Sequence, residues 1–444
     1  MRTYADDPES LRWLFLDLNS YFASVEQQLD PALRGRPIAV APVMSDSTCA
    51  IAASYEAKAF GIKTGTPIWE AKEKCPDLIV VPARHDIYVR FHHRIVAAVK
   101  TVIGVTRVES VDEMGCVLPE EKRSRDVALD LGRKVKAAIY DATGPCLRCS
   151  VGVAPNRFLA KVATELHKPD GLTAVGLAEL PGPLLKLKLR DLPGIGANME
   201  RRLLRAGIGD IDGLWRLAPR SARRIWGGVG GDGFWHMLHG FDLAPRETQR
   251  RTIGHSRVLD PDLRPTEKAR LVARRLAAKA ATRLRRMDYV AGHLAFSARD
   301  EAGRRYFGDF RIGATQDSLV IMEALDTLWA RHVDFCQPRR LKKVSVVLHD
   351  LSPLTDTTLD LFAARASAEP VPAGKVVPLV EAVRLGDTRR TLLSAKLDEI
   401  NKRFGRDTVS IGALGDKPGE AKRLDYLGAK VAFTRIPDIA EFVE

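Results

Sequence analysis

The sequence predicts an α+β protein built on two ferredoxin-like sheets, and three observations carry that expectation. A β…αββαβ order reads between residues 11 and 155. It recurs between 253 and 352, and a Gly-punctuated helical stretch at 186–240 lies between them. A chain of 444 residues is too long for one ordinary core, so two to four domains are expected. With 45% hydrophobic and 28% charged residues, the composition is that of a folded protein and not of a disordered one.

The elements follow in order. LRWLFLDL (11–18) is apolar throughout and reads as a buried strand; residues 22–29 continue as a helix, ended by PALRGRP. IAVAPV (38–43) and CAIAAS (49–54) are short strands, and EAKAFGIKTG and TPIWEAKEKCP are helices stopped by Gly65 and Pro76. In HDIYVRFHHRIVAAVKTVIG, Ile87, Phe91, Ile95 and Val99 fall four apart, as on one face of an amphipathic helix. VTRVESVDEMGCVLP breaks like two strands about a turn. SRDVALDLGRKVKAAIYDATG is a second amphipathic helix, with Val127, Leu131, Val135 and Ala138 in line. LRCSVGVAP is a strand and NRFLAKVATELH a helix. The block at about 30–82 therefore reads as an insertion after the first strand. Beyond the helical stretch, FDLAPRETQRRT (241–252) reads as a basic linker. The second βαββαβ comprises TIGHSRVLD, the basic helix 267–286, YVAGHLAFSARD, RRYFGDFRIG, the helix DSLVIMEALDTLWARHV and KKVSVVLHDL. One further helix, RTLLSAKLDEINKRFG, stands out in the remainder.

A net charge of +13 favours a polyanionic partner, nucleic acid before an anionic membrane. No apolar run is long enough to cross a bilayer and the first ten residues lack an apolar signal stretch, so a cytoplasmic location without a membrane partner is expected. Six cysteines are scattered; Cys146 and Cys149 form a CxxC with no second pair, which points to reduced structural thiols.

Four constellations could carry chemistry. Asp17 ends the first strand, and Asp112 and Glu113 lie in ESVDEMG; on a ferredoxin-like sheet the first and third strands are neighbours, so the three acids can meet. Carboxylates gathered in one place repel unless cations sit between them, and two Mg²⁺ ions would both relieve the repulsion and clamp an in-line phosphoryl transfer. The alternative is an N-cap and a pair of turn residues. Tyr21 and Phe22 follow Asp17, either as a wall that excludes a nucleotide 2′-OH or as core aromatics. LPGIG (192–196) with Gly194 and Gly196 precedes a basic helix; it is either a helix-hairpin-helix that offers backbone N–H groups to DNA phosphate or a plain helix–helix turn. ARLVARRLAAKAATRLRR (269–286) sets Leu271 and Leu276 against a basic face including Arg274, Arg275 and Lys279, either phosphate-tracking or simply solvated.

DLNSYFASVE, YEAKAFGIKTGTP, SVDE, SVGVAPNRFLAKVATELHKPDG and LPGIG occur here in the order found in the Y-family translesion DNA polymerases, which the chain resembles from about residue 12 to 352. The resemblance implies a right-hand polymerase: a ferredoxin-like palm (10–30 and 83–175), small fingers (31–82), a helix-hairpin-helix thumb (176–243), a linker (244–252), a βαββαβ little finger (253–352) and a C-terminal extension (353–444). It implies that Asp17, Asp112 and Glu113 hold the metals, with the Leu18 carbonyl as a further ligand. It makes Phe22 the steric gate, puts Tyr21 beside the nucleotide, and gives Tyr55, Lys58 and Lys168 to the triphosphate.

Many family members carry Asp at Asn19, Arg at Lys58 and a hydroxyl at Ala52. The residues here, with AKLDEINKRFGRDTV in the tail, resemble the UmuC-like (DNA polymerase V) branch most, and the DinB (DNA polymerase IV) branch as well. Gly115 stands where the family often has an aromatic. TLDLF, from Thr358 to Phe362, resembles a sliding-clamp-binding peptide whose usual first Gln is Thr358. The implied activity is template-directed, low-fidelity synthesis on primed DNA with dNTPs in the SOS response, with recombinase and UmuD-like proteins as partners. Its rival is a non-catalytic, polymerase-like adaptor that binds DNA.

Overall fold

Leu14, Leu16 and Leu18 alternate with Phe15 and Asp17 along one strand, and this alternation sets which side of the first sheet each helix covers. The computed structural model describes residues 11–244, 250–337, 340–356, 379–404 and 408–409. Those up to 244 belong to one compact unit and those from 250 onward to a second.

In the first unit, β1 (Trp13–Leu18) leads into α1 (Tyr21–Leu29). A small lobe follows: β2 (Ile38–Ala41), β3 (Ala52–Ala53), α2 (Tyr55–Ala59), α3 (Ile68–Lys74) and β4 (Ile79–Pro82). The chain returns through α4 (His85–Lys100), β5 (Arg107–Val108), β6 (Glu113–Val117), α5 (Arg125–Thr143), β7 (Cys149–Ala154), α6 (Arg157–Leu166) and β8 (Leu172–Ala174). The central sheet has the order β5-β6-β1-β7-β8, with β1 antiparallel to both β6 and β7. The expected neighbourhood of the first and third strands is present. The edge strand β8, parallel to β7, was not foreseen, because three residues leave no readable period. Tyr88, Ile95, Leu131, Val135 and Ile139 pack with Leu14, Leu16 and Leu18, so α4 and α5 cover one face. On the other, Phe15 joins Phe158, Leu159 and Val162 of α6.

The register of α5 departs from expectation. Val127 is 42% exposed, and the buried line is Ala128, Leu131, Val135, Ile139. A line that starts from Val127 drifts off the face, whereas steps of three, four and four hold it. In the lobe, the strand read at 49–54 shortens to β3, and the helix read from Glu56 ends at Ala59, two residues before Gly61 takes φ +76°. β4 was missed; it pairs parallel to β2.

The helical stretch holds α7 (Ala197–Arg205), α8 (Ile211–Trp215), α9 (Pro219–Trp226) and α10 (Val229–Leu238), closed by Leu192, Ile195, Leu203, Leu214 and Phe234.

The second unit runs β9 (Thr252–Val258), α11 (Thr266–Arg286), β10 (Tyr289–Asp300), β11 (Arg305–Thr315), α12 (Ser318–Cys336), β12 (Leu341–Pro353) and α13 (Leu379–Phe404). Its antiparallel sheet has the order β11-β10-β12-β9. Leu294, Phe296, Val344, Val346 and Leu348 face α11 and α12, and the alternate residues of the same strands form the opposite face. The basic face expected on α11 needs correction. Arg275 is 4% exposed on the core side, and the half-buried Arg274 is ion-paired with Asp326 of α12. The run contains enough Ala and Leu to bury most of its circumference, so two of the three expected phosphate-tracking cations are spent inside the unit; Lys279 is half-buried. The tail helix α13 begins earlier than expected and docks here. Arg285 of α11 reaches Asp398 at 2.7 Å, and the amide of Ser318 donates to the buried Ser394 hydroxyl at 3.3 Å. The peptide 358–362 and residues 245–249 of the linker lie outside the described residues.

Candidate active site

The turn after β1 and the start of β6 meet because of strand register. Asp17 pairs directly with Glu113 across β1 and β6, and the Leu18 amide donates to the Asp112 carbonyl at 2.9 Å. Three carboxylates thereby collect at one sheet end, with Asp17 only 8% exposed. Burial pushes the Asp112 carboxyl up, against a hydrogen bond from Ser110, and the Asp17 charge adds to the rise. Burial likewise raises Glu113, helped by Asp17 and Asp112 and opposed by Lys161. The cluster is short of positive charge.

Two lysines supply part of it. Lys161 of α6 is ion-paired with Glu113 and lies 3.9 Å from Asp17. Lys168 sits 3.0 Å from Asp17 and 2.7 Å from Glu165. Burial lowers the Lys168 ammonium, yet Asp17 and Glu165 outweigh it and the net shift is upward. Lys161 was not singled out from the sequence. Its signal was its place in NRFLAKVATELH, on the helix that must cover the acid-bearing face.

A cleft of about 250 Å³ opens beside the acids, lined by Asp17, Leu18, Tyr21, Phe22, Tyr55, Lys58, Asp112 and Lys168 among others. All but one of the acids and nucleotide-side residues expected from the sequence thus share one cavity; Glu113 stands behind it on Lys161. Lys58 lies over the Tyr55 ring at 4.3 Å. Burial lowers the Lys58 ammonium and the Lys168 charge lowers it further, while burial raises the Tyr55 hydroxyl. Phe22 stacks on Tyr88 at 4.4 Å and 18°. Tyr21 is 3% exposed and gives its hydroxyl hydrogen to the Tyr88 carbonyl at 2.6 Å, which ties α1 to α4. Tyr88 in turn donates to Glu26 at 2.7 Å, and Arg84 is ion-paired with the same carboxylate. No local pattern points to this Phe22–Tyr88–Glu26–Arg84 chain, because its members come from α1, α4 and the residue that precedes α4.

Asn19 borders the cleft, but its side-chain amide is engaged away from it. It is 4% exposed; its amide donates to Ser150 at 3.0 Å and its oxygen accepts the Asp170 amide at 2.7 Å. It ties β1 to β7 and to the loop that carries Lys168. An Asp there could accept from Asp170 but could not donate, which gives Asn a structural reason. Gly115 lies away from the cleft: a Cβ there would come 3.2 Å from the Trp13 ring, so that ring and Phe15 occupy the space an aromatic would take. Gly194 takes φ +88° in the turn before α7, and Gly196 is the N-cap of that helix; Arg201, Arg202 and Arg205 follow. The described cysteines are free, including Cys146 and Cys149.

Comparison with known proteins places these features in context. The impB/mucB/samB family profile matches residues 16–165, and the profile of that family's C-terminal domain matches residues 250–361. The chain is 35% identical over 361 residues to the DNA polymerase IV of Moorella thermoacetica, covering 79% of this chain and 88% of that one. It is 33% identical over 436 residues to the DNA polymerase IV of Pelotomaculum thermopropionicum, covering 92% and 98%. These relatives favour the DinB side of the resemblance. The fold is shared with the Y-family DNA polymerase chimera Dbh-Dpo4(243-245)-Dbh, at a TM-score of 0.65 and 23% identity over 77% of this chain and 99% of that one.

Proposed function

This chain belongs to the impB/mucB/samB family of Y-family, DinB-like DNA polymerases, and from that premise we propose that it extends primed DNA with dNTPs across damaged template, at low fidelity, by two-metal nucleotidyl transfer. The observation that carries this reading is the convergence of Asp17, Asp112 and Glu113 on one sheet end beside a cleft lined by two lysines and three aromatics.

The acids suit a divalent cation. The Asp112 and Glu113 carboxyls are pushed up by burial and by the charge of Asp17 beside them, and an all-oxygen donor set favours a hard ion such as Mg²⁺. Asp17, Asp112, Glu113 and the Leu18 carbonyl would hold two such ions, which when bound activate the primer 3′-OH and offset charge on the departing pyrophosphate. The protein's own residues do the rest. Lys58 and Lys168 meet the triphosphate with point charges, without the fixed fork of an Arg. Tyr55 stands under Lys58. Phe22, backed by Tyr88, forms a rigid wall that a ribose 2′-OH would strike. The five-stranded sheet with α4–α6 serves as the palm (10–30 and 83–175), the lobe as fingers (31–82), the helices as thumb (176–243) and the second unit's sheet as little finger (253–352). Gly194 and Gly196 turn backbone N–H groups toward DNA phosphate. Service in the SOS response, a clamp contact through 358–362 and work with recombinase or UmuD-like partners complete the reading. No helix among the described residues is long and apolar enough to cross a membrane.

Primer extension with Mg²⁺ and dNTPs, wild type beside Asp112→Asn, tests it. Extension by the wild type and a fall of about 10²–10³-fold in the variant are expected. No extension by either, with DNA binding intact and clamp and recombinase filament added, would overturn it in favour of the adaptor.

A further inference from the structure

His293, Asp309 and His349 come together on the sheet face of the second unit opposite α11 and α12, and the reaction above uses none of them. His293 of β10 and His349 of β12 are direct cross-strand partners. Asp309 of β11 lies opposite Ala295, one diagonal step from His293 on the same face. The two imidazoles stack at 5.1 Å and 29°. Each engages a different oxygen of one carboxylate: His293 Nδ1 is 2.7 Å from Asp309 Oδ1, and His349 Nε2 is 2.5 Å from Oδ2. The three donor atoms lie within 4.8 Å of one another, and the side chains are about one-third exposed.

The backbone is irregular at both histidines. The β10–β11 register shifts between Ala291 and His293, and such a shift re-aims the side chain beside it. Asp350, next to His349, takes φ +55°, an uncommon conformation for a residue with a Cβ. Its carboxylate closes over Gly292, where a Cβ would come 2.3 Å from Asp350 Oδ2. The close approach of Gly292 and Asp350 thus fixes two adjacent strands where the two imidazoles project.

We propose that His293, Asp309 and His349 form a binding site for one borderline divalent cation of the zinc and cobalt class, which links β11, β10 and β12. Two imidazole nitrogens and one carboxylate oxygen are a donor set for such ions, whereas Mg²⁺ prefers oxygen alone. The open side of the cluster leaves a fourth position for water or an anion oxygen. Three strands held by one ion would resist separation at the sheet end where β10 and β11 are out of register.

The test is titration of the full-length chain with Co²⁺, with Mg²⁺ in large excess to occupy the carboxylate cluster of the first unit. Visible absorption and bound metal per chain are read for wild type, His349→Gln and Asp309→Asn. The wild type should take up one more Co²⁺ per chain than His349→Gln. Each variant should bind at least ~10-fold more weakly, and Zn²⁺ should displace the Co²⁺ and bleach its absorption. Zn²⁺ should also raise the melting temperature of the wild type and leave that of His349→Gln unchanged. Melting curves in EDTA show that the variants fold; Asp309→Asn, which keeps the side-chain shape, decides the matter if His349→Gln melts early. Equal Co²⁺ uptake and affinity in wild type and the folded variants would overturn the site and leave the trio as a hydrogen-bonded charge cluster.

Discussion

Phe22 owes its stiffness to a neighbour that no local reading would find. Its ring lies against Tyr88, and Tyr88 is fixed by Glu26 and Arg84. Shortening Phe22 to Ala should therefore raise ribonucleotide insertion relative to dNTP insertion by about 10–100-fold. Tyr88→Leu should raise it less, by loosening the wall; single-nucleotide insertion kinetics on an undamaged primer would check both. If Tyr88→Leu leaves discrimination unchanged, the stack is packing alone. A second residue-scale expectation concerns His92, buried in α4 with its Nδ1 2.7 Å from the Val111 carbonyl. Burial pulls its imidazole down from 6.5 to about 4, against that hydrogen bond. The unfolded chain therefore binds the proton first. The stability tied to the neutral ring is full above about 6.5 and is lost as pH falls toward 4, on the order of 3 kcal/mol in all. His92→Gln keeps a donor for Val111 and removes the titration, so its denaturant midpoint should vary less with pH across that window.

At the scale of elements, α6 decides whether the acids have their lysine. It packs on β7 at Gly152, where a Cβ would sit 2.1 Å from the Ala160 carbonyl. Gly152→Ala must push the helix outward and carry Lys161 with it. We expect a loss of roughly 1–3 kcal/mol and a fall in polymerase activity at temperatures where the variant is still folded; calorimetry beside primer extension separates the two. The loop after α6 is held in the same manner by Asn19, through Ser150 and Asp170. The helices, the long strands of the second unit and the alternation of β1 were legible because each repeats a period over many residues. β4 and β8 were not, and the face of α5 was misread by one position, because short or drifting patterns do not identify a face without a partner.

For the whole molecule, the excess of 69 basic over 56 acidic residues is the property most directly tied to a polyanionic template. DNA affinity should fall by about 10³–10⁵-fold between roughly 50 and 200 mM salt if six to ten phosphates are contacted; fluorescence anisotropy with a labelled primer–template would show it. Because Arg274 is ion-paired with Asp326 and Arg275 is buried, Arg274→Ala should alter melting more than the salt slope. A slope that drops by about one in that variant would restore it as a phosphate contact.

The order of elements, the three acids, the aromatic pair and the basic excess are determined by the sequence, since they are properties of residue type and spacing. The tertiary structure alone decided which charges remain available. Lys161 pairs with Glu113 and Lys168 with Asp17, while Arg275 is turned into a core. It also brought two histidines and an aspartate from three strands to one point. The reason is that pairing and burial depend on register and helix rotation, and these are fixed when separate elements pack against one another, over distances that a local pattern does not encode.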